Sequence, residues 1–113
     1  MFNTCLNNGL TRANINLVMP DYSAGISKTW NTVIQAEYNG WIHITGQTAV
    51  SGTSSYDLEI SSDGINFEKI SQLYTATAYG KGSVITPIAK GMYYKATEGS
   101  YSNALIFYPC IGG

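Results

Sequence analysis

The clearest pattern along the chain has a period of two. Tyr56, Leu58 and Ile60 alternate with Asp57, Glu59 and Ser61, which predicts a strand that buries one face and turns its charges outward. Ser62-Asp63-Gly64 follows and supplies residues that tolerate the positive φ of a tight turn. Ile65, Phe67 and Lys69 against Asn66, Glu68 and Ile70 then begin a second strand, so residues 56–70 read as a hairpin. Upstream, Thr32, Ile34, Ala36 and Tyr38 alternate with Val33, Gln35 and Glu37, and Asn39-Gly40 leads into Trp41-Ile42-His43-Ile44-Thr45. Asn-Gly between two such runs is the strongest short hairpin signal, and it predicts that these two strands pair.

Further strands are expected over Ala13–Met19, Ser83–Ile88, Met92–Thr97 and Ala104–Tyr108, the last stopped by Pro109. Ala89-Lys90-Gly91 joins two of them. Pro87 has no amide hydrogen to give a ladder, so its strand is expected at a sheet edge. Residues 1–12 are Asn-rich and aperiodic and read as a lead-in, which leaves 13–113 as a single domain. No segment carries capped helical spacing over three turns, and no internal repeat is visible. Short strands at intervals of roughly 8 to 12 residues predict an all-β, antiparallel sandwich or barrel, with jelly-roll and immunoglobulin-like arrangements both allowed.

Charge changes the picture. Charged residues make up 12% of the 113, with Lys+Arg 6 and Asp+Glu 7, about half the roughly 25% usual for soluble domains. Arg12, Lys28, Lys69, Lys81, Lys90 and Lys95 are scattered singly, so no nucleic-acid partner is expected. No apolar run reaches the roughly 20 residues that span a bilayer, and residues 1–8 lack the regions of a signal peptide; the chain reads as soluble and unexported, without membrane insertion. Cys5 and Cys110 can pair only if the two ends of the chain lie side by side, and two reduced thiols are the expectation.

The residues for catalysis are poorly grouped. His43, the only histidine, lies mid-strand beside Trp41 and Thr45 on one face, so a triad or metal site would have to be built around one position; it reads as a surface or interface histidine. Asp57, Glu59, Asp63 and Glu68 gather in one hairpin, but Asp57 and Glu59 point the same way, as on a solvated outer face, and lack the spacing of a calcium loop. No catalytic residue, metal or cofactor is expected. Gly80-Lys81-Gly82-Ser83 lacks the strand-loop-helix setting of a phosphate loop. Tyrosine is the abundant functional side chain, and Tyr79-Gly80-Lys81-Gly82 reads as an exposed loop tip. Trp41, Tyr79, Lys81 and Tyr101 are the candidate ligand contacts.

Three stretches carry a family resemblance. Met19-Pro20-Asp21-Tyr22-Ser23-Ala24-Gly25-Ile26, the run from Gly82 to Ala96 with its strand, Lys90-Gly91 turn and strand, and the ending Ile106-Phe107-Tyr108-Pro109-Cys110-Ile111-Gly112-Gly113 resemble the C-terminal head domains of bacteriophage tail-fibre and prophage virion proteins. The resemblance implies a jelly-roll-like sandwich that assembles as a homotrimer at a fibre tip, contacts other virion proteins, and attaches to a host-surface saccharide or protein. It places the protein in the virion. Tyr56 to Phe67 also resembles the strand-Asp-Gly-strand hairpin of fibronectin-type and carbohydrate-binding sandwiches. The rival readings are therefore a monomeric carbohydrate-binding module of a secreted protein, and a capsid or tail decoration that binds no receptor.

Overall fold

The computed structural model describes residues 18–47, 54–75, 79–99 and 103–111. Its strands are β1 (Ile26–Ser27), β2 (Ile34–Gln35), β3 (Gly40–Gln47), β4 (Ser54–Ser61), β5 (Glu68–Thr75), β6 (Lys81–Ile88), β7 (Tyr93–Thr97) and β8 (Asn103–Pro109). They form two antiparallel four-stranded sheets, ordered β1-β8-β3-β6 and β2-β7-β4-β5. Ile42, Ile44, Leu105 and Phe107 from the first meet Tyr56, Leu58, Leu73, Tyr94 and Ala96 from the second in one buried core. The protein is thus all-β with a sandwich-like pair of layers, as the alternating pattern predicts.

The inner face of β3 reads Gly40, Ile42, Ile44, Gly46, and all four are buried. The two isoleucines fill the middle, and the two glycines leave room for rings at the ends. A Cβ on Gly46 would lie 2.4 Å from the ring of Tyr56, and one on Gly99 would lie 2.6 Å from the same ring. Tyr56 therefore reaches from β4 across the core and ends between two glycines, with Trp30 tilted against it at 5.8 Å. Its hydroxyl donates to the Gln47 carbonyl at 3.1 Å, so the polar end is satisfied where the ring is fully buried. At the other end of β3, Phe107 fills the space that a Gly40 side chain would occupy and stacks on Tyr94 at 6.3 Å. Burial, with a smaller effect from Glu37, pushes the Tyr94 phenol up to about 12.

The hairpin read over residues 56–70 forms as β4 and β5, with Tyr56 opposite Leu73 and Ile60 opposite Glu68. Its second strand starts at Glu68, later than Ile65, because the Asp63 carboxylate gathers the local amides. Asp63 Oδ1 accepts from the Ile65 and Asn66 amides at 2.8 and 2.9 Å, and Ser61 Oγ accepts from Gly64 at 2.9 Å. Gly64 takes the positive φ, +78°, over the face of Tyr93. The strand register shifts between Leu58 and Glu59, which skips Ile70.

The second expected hairpin does not form. Residues 34–35 pair with β7, whereas β3 pairs with β6 and β8, so Asn39-Gly40 carries the chain from one sheet to the other. Gly40 is already extended strand; it is glycine because Phe107 and the Tyr108 carbonyl approach within 2.4 and 2.6 Å of where a Cβ would stand. Asn39 acts as a clip, accepting from the Cys110 amide at its carbonyl and from the Lys90 amide at its side chain. Ala89-Lys90-Gly91 likewise joins strands of opposite sheets, with Gly91 at φ +90°. Pro87 lies on β6, a sheet edge, as expected, and Ser71 Oγ meets Thr86 Oγ1 at 2.8 Å where the β5 and β6 edges approach. Of the strand expected over Ala13–Met19 only Val18 and Met19 are described, and neither is strand; pairing starts at Pro20, bridged to Cys110. The expected lead-in, 1–12, lies outside the described residues.

Two substitutions test the seat of Tyr56. Gly46→Ala is expected to cost about 1–3 kcal/mol by overpacking a filled core, and Tyr56→Phe about 0.5–1.5 kcal/mol by leaving the Gln47 carbonyl without its donor. Guanidinium unfolding of both variants measures this, and a neutral Gly46→Ala would contradict the packing described.

Candidate binding surface

The outer faces of the two sheets differ in charge. On the β2-β7-β4-β5 sheet two of the four carboxylates considered for acid-base chemistry are engaged across strands: Asp57 with Lys69 at 3.5 Å, and Glu59 with Lys95 at 3.4 Å. Lys95 also lies over the Phe67 ring at 5.0 Å, and Gln72 donates to Asp57 at 3.0 Å. Asp63 is exposed, and its carboxyl is held well below the usual range by the Asn66 amide first, then by Ile65, the Ser61 hydroxyl and the Asn66 side chain. A carboxylate so held is fixed in its charged form, which suits a turn and not a proton donor.

The outer face of the β1-β8-β3-β6 sheet is built by register. Trp41 stands between Pro87 and Tyr108, His43 between Ile85 and Ile106, and Thr45 between Ser83 and Ala104. None of these residues carries a carboxylate, ammonium or guanidinium group. His43 is half-buried at the centre, 6.1 Å from the Tyr108 ring, and Tyr22 packs edge-on against Tyr108 at 5.0 Å. Where β3 ends, Gln47 opposes Lys81, and a cleft of about 530 Å³ opens there among Thr45, Gln47, Lys81, Ser83 and Asn103. Its walls offer hydroxyls, amides and one ammonium group. Among the described residues no carboxylate pairs with Lys81.

The candidate contacts separate into two places. Tyr79 and Lys81 sit together at this end: Tyr79 is exposed, and its carbonyl accepts from Gln47 Nε2 at 3.4 Å. Tyr79 holds a φ of +57°, and the other non-glycine residue with positive φ among those described is Asn31. Asparagine tolerates that region, whereas a tyrosine there is strained. Trp41 lies at the opposite end of β3, six residues from Gln47, or roughly 20 Å at the rise of a strand. It is half-buried, and its Nε1 donates to the Val18 carbonyl at 2.7 Å. It lines a second cleft, of about 290 Å³, with Val18, Pro87, Ala89 and Cys110. Trp41 therefore does not join Tyr79 and Lys81 in one site, because its polar atom is used to tie down the incoming chain. Tyr101 lies outside the described residues, as does Cys5; Cys110 is a buried free thiol, pushed up by burial.

Thr45, Gln47 and Ser83 were not singled out from the sequence as contacts. Only the β3–β6 register brings them beside Lys81, and a strand pairing of residues 41–47 with 81–88 has no local signal. Comparison with known proteins finds no matching family model, no matching curated protein and no matching solved structure.

The Asp63 turn makes a pH-dependent contribution to stability. Because folding lowers this carboxyl below its ordinary 3.8, the contribution is complete at neutral pH and is lost as pH falls below about 4. Asp63→Ala is expected to unfold at lower guanidinium than the parent at pH 7, with the gap closing toward pH 2; a gap constant over that range contradicts the assignment.

Proposed function

We propose that this chain is a virion structural protein: a homotrimeric head domain at the tip of a phage fibre that attaches to a host-surface saccharide or protein. The observation that carries the reading is the strand order. Orders β1-β8-β3-β6 and β2-β7-β4-β5 alternate the chain between two sheets in the manner of eight strands wound as paired Greek keys, which supports jelly-roll connectivity. That connectivity is what the tail-fibre resemblance of residues 19–26, 82–96 and 106–113 implies.

Attachment is assigned to the end of the sandwich where Lys81 lines a cleft with Thr45, Gln47 and Ser83, and where the Tyr79 carbonyl holds the Gln47 side chain. An exposed tyrosine whose carbonyl holds the Gln47 side chain, two residues before Lys81 in a cleft of hydroxyl, amide and ammonium groups, suits a sugar, whose apolar face stacks on an aromatic and whose hydroxyls take hydrogen bonds. The role is binding and not catalysis. Weak single contacts become useful when three heads engage one surface, so the mechanism is avidity.

The test is binding of labelled protein to a panel of bacterial cells and to a glycan array. Tyr79→Ala and Lys81→Gln are expected to weaken it at least about ten-fold, a loss of roughly 1.4 kcal/mol, with molar mass unchanged. Wild-type protein that binds neither cells nor glycans at any valency would replace this reading with a decoration role. A monomer that binds glycans would replace it with a single binding module.

A further inference from the structure

We infer that the cleft at the end of β3 takes an acidic saccharide, one that carries a carboxylate or phosphate group, and that Lys81 selects it. This deepens the attachment reading, on which it rests, by naming the class of sugar.

Three donors in the cleft are uncommitted. Among the described residues Lys81 makes no ion pair, and the Thr45 and Ser83 hydroxyls make no hydrogen bond. Register fixes their spacing. Thr45 stands directly opposite Ser83, about 5 Å away between Cβ atoms, and Lys81 precedes Ser83 by two residues on the same face, roughly 7 Å along the strand. Other polar groups here are in use: Gln47 Nε2 donates to the Tyr79 carbonyl, and Asn103 Nδ2 donates to the Glu98 carboxylate, each at 3.4 Å.

A neutral sugar only exchanges its own hydroxyls for water around the ammonium group, with little net gain. An acidic group adds attraction between unlike charges, and the two hydroxyls then donate to it in charge-assisted bonds. The protein does not supply that anion itself. No residue lining the cleft is acidic, and residues 48–53, 76–80 and 99–102, which lie in the connections at this end, include no Asp or Glu. Glu98 is the exception. Its carboxylate is held by Asn103, which pairs with Gly46 on the side of β3 away from Lys81, roughly 10 Å off by two strand spacings. A lysine ammonium is a compact point charge without the planar fork of arginine, so it selects negative charge and not the shape of the group that bears it. Carboxylate and phosphate sugars therefore share the site.

A glycan array that presents neutral, carboxylate-bearing and phosphate-bearing saccharides, probed with the labelled full chain, tests this. The wild type is expected to bind acidic glycans about ten-fold better than neutral ones, and to lose most of that preference as salt rises from about 0.05 to about 0.5 M. The carboxylate and phosphate arms tell which source of charge is used. Lys81→Gln is expected to bring acidic glycans down to the level of neutral ones, and Lys81→Arg to keep the preference, both with a cooperative melt. Equal binding of neutral and acidic glycans, or a preference that survives in Lys81→Gln, overturns the inference and leaves attachment standing. Wild-type protein that binds cells but no glycan also overturns it, and leaves attachment to a protein. Binding to neither cells nor glycans overturns both.

Discussion

The sandwich depends on two aromatic rings that end against glycines of one strand. Tyr56 crosses from β4 to sit between Gly46 and Gly99, and Phe107 covers Gly40 while it stacks on Tyr94. Each ring removes 150–250 Å² from water, or roughly 4–6 kcal/mol by area. The amount matters less than the place. Both rings bear on β3, which is hydrogen-bonded to β6 on one side and β8 on the other, so the same contacts that fill the core also set the spacing of the sheets.

With the interior settled by rings and isoleucines, the outer faces are left to differ. One sheet turns its few charges outward and pairs them across strands, where exposed ion pairs contribute little to stability but keep the face wet. The other turns tryptophan, histidine, isoleucine and tyrosine outward. Of the charged residues that lie within the described strands, all but Lys81 stand on one layer. This segregation separates a charged, solvated side from an aromatic one whose charge stands at its end, on Lys81. Tyr79 pays a conformational cost in its left-handed backbone, at a position where glycine would sit without strain.

How far the sequence could be read is clearest at the two Gly-containing turns. Asp63-Gly64 was legible because its partners are local: the carboxylate bonds amides two and three residues on, and glycine supplies the positive φ. Asn39-Gly40 has the same appearance, yet its glycine answers to Phe107 and Tyr108, more than sixty residues away, and not to a turn. The pairing partners of β3 also decide which residues share the cleft. With β3 paired to β6 and β8, Gln47 and Thr45 come beside Lys81 and Ser83, while Trp41 goes to the far end and spends its indole N–H on Val18.

By itself, then, the sequence determined what depends on near neighbours: the β class, the alternation that buries Tyr56, Leu58, Ile42 and Ile44, the Asp63 turn, and the edge position of Pro87. Those follow from a two-residue period, local hydrogen-bonding and a missing amide hydrogen. The tertiary structure decided which strands pair, which sheet faces stay uncharged, and which polar groups share a cleft. These depend on register between strands distant in sequence, and register is set by how rings and glycines fit across the core, a fit that no local pattern records.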